Sequence, residues 1–287
     1  MAGGTVTGSR TVRLRAPDGP VQVRVWPPEV GPPDGERPGS PTLLALHGWT
    51  DSAEVFAPLA AALDRRWTVV APDAPAHGGT PLRDGPYVIA DHATSATAVL
   101  DAVRLPRLAG PEHHTAVVYG HSMGALTAAR VAAARPGLVR GLVLEDPART
   151  TLRRADSSAQ MRTWVQGLRS GDHASRVAWV RANHPDWPDA EVEPWARSKA
   201  AVDLEHLDRT ADWGEPLPAL LSEVRCPVLI IRGDPARGGI VSRAGARRCA
   251  AACPGGAQVL ALDVGHSPRR EAPGPVLAAL QQVMEAW

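Results

Sequence analysis

The sequence holds few of the residues that mark secreted, zinc-bound or membrane-embedded chains. Its three cysteines, Cys226, Cys249 and Cys253, are an odd number without C-x-x-C spacing, so neither a disulfide framework nor a zinc site is predicted. Cys249 and Cys253 lie four residues apart on a predicted helix, where we expect two small buried apolar side chains. There is no apolar run of about 18 residues, and the first residues lack the apolar core of a signal peptide. We therefore expect a cytoplasmic protein that does not enter a membrane.

An excess of charge of one sign is also missing. The 31 basic and 30 acidic residues leave a net charge of +1, and no block of like charge interrupts the chain. Such a chain has no electrostatic field that would gather nucleic acid or an anionic membrane surface. The expected partner is a small, largely neutral molecule, and no metal ion is expected.

What the chain does have is enough apolar sequence for one large α/β core, since 44% of its 287 residues are hydrophobic. Apolar strand-like segments alternate with helical ones, which indicates a mostly parallel sheet covered by helices. The predicted strands are "TVRLRA", "VQVRVW", "TLLALHG", "WTVVAPD", "TAVVYG", "GLVLED", "PVLIIRG" and "AQVLALD". The predicted helices lie near residues 53–63, 87–103, 122–134 and 242–252 and after residue 275.

This alternation is interrupted once, between residues 147 and 222. The segment is helical and charged in pattern and contains five tryptophans: Trp164, Trp179, Trp187, Trp195 and Trp213. We predict a helical cap at 147–222 inserted into an α/β core made of residues 1–146 and 223–287. Some of the tryptophans are expected to line an apolar pocket for a hydrophobic or cyclic substrate, and others to form the interior of the cap.

The segment "YGHSMGA" contains the pattern G-x-S-x-G between an apolar strand and an alanine-rich helix. In that context the pattern predicts a nucleophile elbow. Gly120 and Gly124 allow the backbone to turn tightly at Ser122, which lifts the serine hydroxyl to the edge of the sheet. The helix that follows directs its positive end toward the site and favours an oxyanion there. Ser122 is therefore the predicted nucleophile.

A serine hydroxyl is a poor nucleophile at neutral pH unless a base removes its proton. His266, in "LDVGHSPRR", follows the last predicted strand, where its imidazole can reach Ser122, and it is the predicted base. His47 is interpreted as a structural residue. The backbone N–H groups of Trp49 and Met123 are the predicted oxyanion-hole donors. The remaining histidines are interpreted as surface or structural residues.

These motifs together resemble those of the α/β-hydrolase family. "LLALHGWTDSAEVFAPLAAAL", "WTVVAPDAPAHGGTP", "VYGHSMGA", "GLVLEDP", "PVLIIRGD" and "DVGHSPRREAP" match the family's motifs in order. The resemblance implies a sheet of about eight strands, an acyl-enzyme mechanism and no cofactor. The elbow is similar to that of thioesterases acting beside polyketide or peptide assembly lines. Epoxide hydrolases and haloalkane dehalogenases, which place aspartate at the elbow, are set aside because this chain has Ser122.

The acid that orients His266 is left open by the sequence. In many members of the family it stands three residues past the glycine of "PVLIIRG", but that place holds Ala236. Two aspartates in identical Asp-Pro-Ala-Arg segments are candidates, Asp146 and Asp234, and Glu145 is a further option. Both aspartates satisfy the order Ser, acid, His, and either one can instead cap a turn. Because other members carry the acid after the strand "GLVLED", we favour Asp146 and keep Asp234 as the alternative.

These residues predict a serine hydrolase that cleaves an ester, lactone or thioester through an acyl-enzyme. The alternative is a member of the same fold that cleaves C–C bonds or cyclises its substrate. A binding protein without turnover is disfavoured, because the predicted nucleophile, base and oxyanion donors are all present.

Overall fold

A computed structural model describes residues 8–28, 41–63, 66–103, 115–150 and 158–287. Residues 151–157 of the predicted cap lie outside these ranges, as do His113 and His114, which were interpreted as surface or structural residues.

The secondary structure follows the predicted alternation. The strands are β1 (Arg10–Ala16), β2 (Gly19–Trp26), β3 (Thr42–Leu46), β4 (Thr68–Pro72), β5 (Tyr87–Val88), β6 (Ala116–His121), β7 (Val139–Glu145), β8 (Thr210–Asp212), β9 (Val228–Arg232) and β10 (Ala257–Ala261). The helices are α1 (Ala57–Ala62), α2 (Ile89–Val103), α3 (Met123–Ala134), α4 (Ser158–Ser170), α5 (His173–Asn183), α6 (Asp189–Ala200), α7 (Glu205–Arg209), α8 (Leu217–Leu221), α9 (Arg243–Ala251), α10 (Pro268–Glu271) and α11 (Pro273–Ala286), with 3-10 turns at Ala53–Phe56 and Pro235–Arg237. None of the helices in the described ranges is long and apolar enough to cross a membrane.

In the described chain, eight strands form one sheet in the order β1-β2-β4-β3-β6-β7-β9-β10. The first two neighbouring pairs are antiparallel, and the pairs from β4 to β10 are parallel. The predicted mostly parallel sheet of about eight strands is thus confirmed. The short strands β5 and β8 pair separately and parallel to each other.

The central strands are continuous apolar runs because both of their faces are covered. In β3 every residue is buried. Leu44 and Leu46 belong to a hydrophobic cluster with residues of α2, α3, α8 and α9. Leu43 and Ala45 point to the opposite face and pack with residues of α1 and α11. Cys249 lies in the first of these clusters, and all three cysteines are free thiols.

The helices α4 to α7 form small hydrophobic clusters of their own. One contains Leu168, Val180, Trp187, Val192, Trp195 and Ala196, and the other Val165, Val202 and Leu207. The helix α8 differs, because its leucines belong to the cluster under the sheet. Its side chains are therefore part of the core, although the predicted cap extends to residue 222.

Candidate active site

The strand β6 and the helix α3 meet in a sharp turn at Ser122. This residue has φ 53° and ψ −111°, a left-handed conformation that is uncommon for a residue with a side chain. The two glycines of the motif make the turn possible. A Cβ atom on Gly120 would lie 2.2 Å from the carbonyl oxygen of Gly124, and one on Gly124 would lie 2.1 Å from that of Leu46. Only glycine therefore allows the chain to pass so closely, and the Ser122 side chain stands at the carboxyl edge of the sheet.

His266 contacts Ser122 on one side of its ring and Asp146 on the other. Its Nε2 lies 3.0 Å from the Ser122 hydroxyl oxygen, and its Nδ1 lies 2.7 Å from Asp146 Oδ2. Because a carboxylate accepts only, Nδ1 carries the proton and donates it to Asp146, and Nε2 accepts from the Ser122 hydroxyl. The three side chains form one continuous hydrogen-bonded chain.

The Asp146 carboxylate is fully buried and is fixed by backbone donors as well as by His266. The N–H of Gly233 donates to Oδ1 at 3.2 Å, and the N–H of Ile240 donates to Oδ2 at 2.8 Å. Hydrogen bonds of this kind hold the carboxylate in one orientation. Asp146 itself adopts φ 36°, another left-handed conformation, directly after β7.

The two other candidate acids lie elsewhere. Asp234 accepts from the backbone N–H of Ala236 at 3.0 Å and caps the 3-10 turn that follows. Glu145 accepts from the Tyr119 hydroxyl and from the backbone N–H of Arg269. Of the three candidate acids, the structure places Asp146 against His266.

Two backbone N–H groups beside Ser122 remain available for a ligand. In the part of the chain that the structure describes, neither Trp49 nor Met123 donates its backbone N–H to a protein acceptor. Met123 is the first residue of α3, and the N–H groups of a first helical turn have no acceptor within the helix. Within the described ranges, both donors that the sequence predicts for an oxyanion are thus without a protein acceptor.

Ser122 opens into a cavity of about 820 Å³ between the core and the helical segment. Four of the five tryptophans that the sequence places in the predicted cap line this cavity, together with Trp49; the four are Trp164, Trp187, Trp195 and Trp213. Trp179 instead stacks on Trp195 with ring centroids 5.3 Å apart. Of the five tryptophans, four therefore line the cavity, and Trp179 packs behind them.

Comparison with known proteins agrees with the fold. The profile of the alpha/beta hydrolase family matches residues 43–280. The chain belongs to this family. The hydrolase is 27% identical over 261 residues to 2-(acetamidomethylene)succinate hydrolase of Mesorhizobium japonicum, which covers 88% of this chain and 90% of the relative.

Solved structures show the same fold. The hydrolase is similar to the crystal structure of E-2-(acetamidomethylene)succinate hydrolase, with a TM-score of 0.71 and 22% identity over 96% of this chain and 100% of that chain. It is also similar to an enol-lactonase from Burkholderia xenovorans LB400, with a TM-score of 0.71 and 18% identity over 96% of this chain and 100% of that one.

Histidines that the sequence did not connect with the site hold the loop that carries Trp49. The indole N–H of Trp49 donates to His206 Nε2 at 2.8 Å, and the backbone N–H of Thr50 donates to His77 Nε2 at 3.3 Å. On the other side of the His77 ring, Nδ1 donates to the carbonyl oxygen of Pro75 at 2.8 Å. These rings act as neutral acceptors that fix the loop in position.

Burial keeps these rings uncharged. It lowers the pKa of His206 to about 4 and that of His77 well below its usual range. It also lowers the pKa of His121, next to Ser122, to about 3. A neutral His121 donates from Nε2 to the backbone carbonyl of His266 at 2.9 Å, which ties the loop of the base to the elbow.

The hydrolase also places charged residues on the cavity wall that the sequence did not predict. Asp51, Lys199 and Arg270 all line the cavity. Asp51 and Lys199 are 148 residues apart in sequence, and Asp51 and Arg270 are 219 apart. No local pattern predicts contacts at such separations.

Proposed function

We propose that this hydrolase is a serine hydrolase that cleaves an ester, lactone or thioester bond through an acyl-enzyme. The observation that supports it most directly is the hydrogen-bonded chain from Ser122 through His266 to Asp146, with its serine end open to the cavity. A serine with an adjacent base, oriented by a buried acid, is the arrangement that activates a hydroxyl.

Acylation follows from the positions of the groups. As Ser122 Oγ attacks the carbonyl carbon of the substrate, His266 Nε2 takes the hydroxyl proton. The carbonyl oxygen becomes an oxyanion, which the N–H groups of Trp49 and Met123 bind. His266 then gives its proton to the leaving oxygen or sulfur as that bond breaks. Asp146 holds the imidazole in the required tautomer and stabilises the imidazolium.

Deacylation repeats these steps with water as the nucleophile. His266 takes a proton from the water as its oxygen attacks the acyl carbon, and the same N–H groups bind the second oxyanion. When the tetrahedral intermediate collapses, His266 returns the proton to Ser122 Oγ. The products are the free acid and the restored enzyme.

The helical segment α4 to α7 is proposed to act as a cap that limits the substrate to a small molecule with apolar or cyclic parts. Trp164, Trp187 and Trp195 of this segment line the cavity, and so does Trp213, which follows β8. The cavity volume of about 820 Å³ falls within the range of small-molecule sites, roughly 300–1,000 Å³. The proposed chemistry needs no cofactor, because the chain supplies the nucleophile, the base and the oxyanion donors.

Hydrolysis of p-nitrophenyl esters, followed by absorbance, tests this function. We expect turnover by the wild-type protein and its loss in Ser122→Ala. Ser222→Ala, which changes an exposed serine outside the cavity, serves as the matched control and should remain active. A panel of esters, lactones and thioesters then ranks the bond types. Retained turnover in Ser122→Ala would contradict the proposal.

A further inference from the structure

One wall of the cavity carries two buried cations. Lys199, on α6, is the only lysine in the chain and is 1% exposed. Arg270, on α10, is 3% exposed. Both side chains line the cavity into which Ser122 opens, and neither takes part in the proposed proton transfers. Buried cations are costly to maintain, so their presence beside the site calls for a physical reason.

A single carboxylate joins these two cations. Asp51 accepts from Lys199 Nζ through Oδ1 and from Arg270 Nη2 through Oδ2 at 2.9 Å. Burial alone would raise the pKa of Asp51, but Arg270 and Lys199 hold it well below its usual range. Asp51 is therefore ionised, and its one negative charge balances one of the two positive charges that face the cavity.

The carboxylate behind Arg270 is shared with another arginine. Glu191 lies 3.6 Å from Arg270 Nε and 2.6 Å from Arg269 Nη1, and it does not line the cavity. Burial lowers the pKa of Arg269, but Glu191 and the buried carboxylate of Glu145 raise it above its usual range. Among the described residues the group therefore combines three cations, Lys199, Arg269 and Arg270, with three carboxylates, Asp51, Glu191 and Glu145. Of these three carboxylates, Asp51 is the one that lines the cavity.

The described chain places four other charged residues on the cavity, Arg237, Asp263, Glu271 and Asp186. Arg237 and Asp263 pair with each other in an exposed position, at 2.7 and 3.0 Å. Glu271 accepts from the backbone N–H groups of Gly265 and Ser267. Asp186 is exposed, and solvent and salt screen charges at such positions.

The two cations also have hydrogen-bonding capacity left over. Lys199 donates to Asp51 and to the carbonyl oxygen of Thr50 at 2.9 Å, which leaves one of its three N–H donors. The Arg270 guanidinium has five N–H donors, and in the described ranges it makes one hydrogen bond, to Asp51. Trp195 lies with its ring centroid 4.8 Å from Lys199 Nζ, and Trp187 lies with its ring centroid 5.1 Å from Arg270 Cζ.

We propose that Lys199 and Arg270 bind a carboxylate of the substrate, so that this hydrolase prefers esters, lactones or thioesters that carry a carboxylate over neutral compounds of the same shape. A carboxylate accepts charge-assisted hydrogen bonds from the N–H donors that Lys199 and Arg270 have left over. This inference rests on the proposed hydrolysis at Ser122 and adds a substrate class to it. It differs from the largely neutral substrate expected from the net charge, because a net charge does not report how charges are distributed within one cavity.

Matched substrate pairs test the proposal. One pair places the carboxylate in the acyl group, p-nitrophenyl hydrogen glutarate against p-nitrophenyl pentanoate. The other places it in the leaving group, 4-carboxyphenyl acetate against 4-methylphenyl acetate, with rates corrected for alkaline hydrolysis. We expect kcat/KM to favour the anionic member of at least one pair by roughly 10-fold or more, the size of a charge-assisted hydrogen bond.

Variants then connect the preference to the two cations. Lys199→Met and Arg270→Met should each bring the corrected ratio of the two kcat/KM values close to that of a pair without a preference, and Lys199→Arg should keep the preference. Arg237→Met is the matched control, since it removes a cation that also lines the cavity but is paired with Asp263. Because both substrates are measured on the same preparation, the ratio does not depend on the fraction of folded enzyme.

Two outcomes overturn the proposal. One is the absence of a preference in both pairs while the neutral esters are hydrolysed in a Ser122-dependent way. The other is an equal loss on both members in Lys199→Met and Arg270→Met, which would mean that these residues only hold α6 and α10 against the core. Failure of the proposed hydrolysis looks different, since turnover would be missing for all four substrates. Calorimetric titration of Ser122→Ala with glutarate and with neutral glutaramide then measures anion binding without catalysis. Equal affinities for the two compounds would overturn the proposal.

Discussion

His266 Nδ1 lies 2.7 Å from Asp146 Oδ2, although 120 residues separate the two in sequence. The contact joins the loop after β10 to the loop after β7, at the carboxyl edge of the sheet where Ser122 also stands. Asp234 follows β9, the strand next to β7 in the sheet, and its carboxylate caps a turn instead. Two identical tetrapeptides therefore have different environments, and these environments can be told apart by substitution.

Asp146→Asn should lower kcat by about 10⁴-fold, the size of effect known for the acid of a serine protease, because asparagine favours the wrong tautomer of His266. Asp234→Asn is the matched control, since asparagine also caps turns well and should leave kcat almost unchanged. Steady-state kinetics of the two purified proteins, with circular dichroism to verify folding, provide the measurement. The reverse pattern would transfer the role of the acid to Asp234.

Ser122 should be labelled covalently by a fluorophosphonate probe, because only an activated serine hydroxyl attacks phosphorus quickly. In-gel fluorescence after brief exposure measures the reaction. We expect no label on Ser122→Ala and slow labelling of His266→Ala, in which the base is missing. Labelling of Ser122→Ala at the wild-type rate would mean that another hydroxyl is the reactive one.

Gly124→Ala should destabilise the fold by about 1–3 kcal/mol or more, as expected for overpacking. The added Cβ would stand 2.1 Å from the carbonyl oxygen of Leu46. Gly167 in α4 is a helical glycine with no atom within 4 Å of the added Cβ. Gly167→Ala should therefore raise the free energy of unfolding by about 0.5–1 kcal/mol, the helix preference for alanine. Urea denaturation measures both, and a stabilised Gly124→Ala would refute the close approach at the elbow.

Stability should fall as the pH drops below about 6.5, in part because of His206. Burial lowers the pKa of this residue to about 4 in the folded state, whereas the unfolded chain takes up a proton near pH 6.5. The unfolded state therefore binds more protons between these two values, and the free energy of unfolding decreases as the pH falls through that window, by roughly 3 kcal/mol in total for this one group. Below pH 4 its contribution levels off.

The thermal midpoint of His206→Gln measured across the same pH range isolates this contribution. Glutamine can accept the Trp49 N–H but does not titrate, so the dependence of stability on pH should become shallower by about one proton. An unchanged slope would show that His206 is not buried as a neutral ring.

Much of the fold could be predicted because the central strands are buried on both faces and therefore appear as continuous apolar segments. The end of the helix predicted at 87–103 was placed correctly, but its first two residues form β5 instead. That strand pairs with β8, more than 100 residues further along the chain. Strands so short have no periodicity of their own, and they form because the tertiary structure brings two segments together.

In the candidate site, too, some residues could be predicted from the sequence and others could not. Ser122 could be predicted because its chemistry depends on neighbours in the motif, and His266 because it follows a strand that ends at the same edge. The sequence favoured Asp146 as the acid but left Asp234 open as the alternative, since both fit the order of the chain and both precede proline. The contact of Lys199 with Asp51 joins α6 to the loop after β3, and only the packing of these two elements brings the groups together.

Because its single lysine is buried, the surface of this hydrolase carries no lysine amine. Acylating reagents aimed at primary amines will therefore reach Lys199 only through the cavity that it lines, where Asp51 holds its amine. The rate at which that amine is modified, followed by peptide mass mapping that separates it from the chain's α-amine, would thus report how accessible the cavity is. One side chain serves as a built-in probe of access to the site.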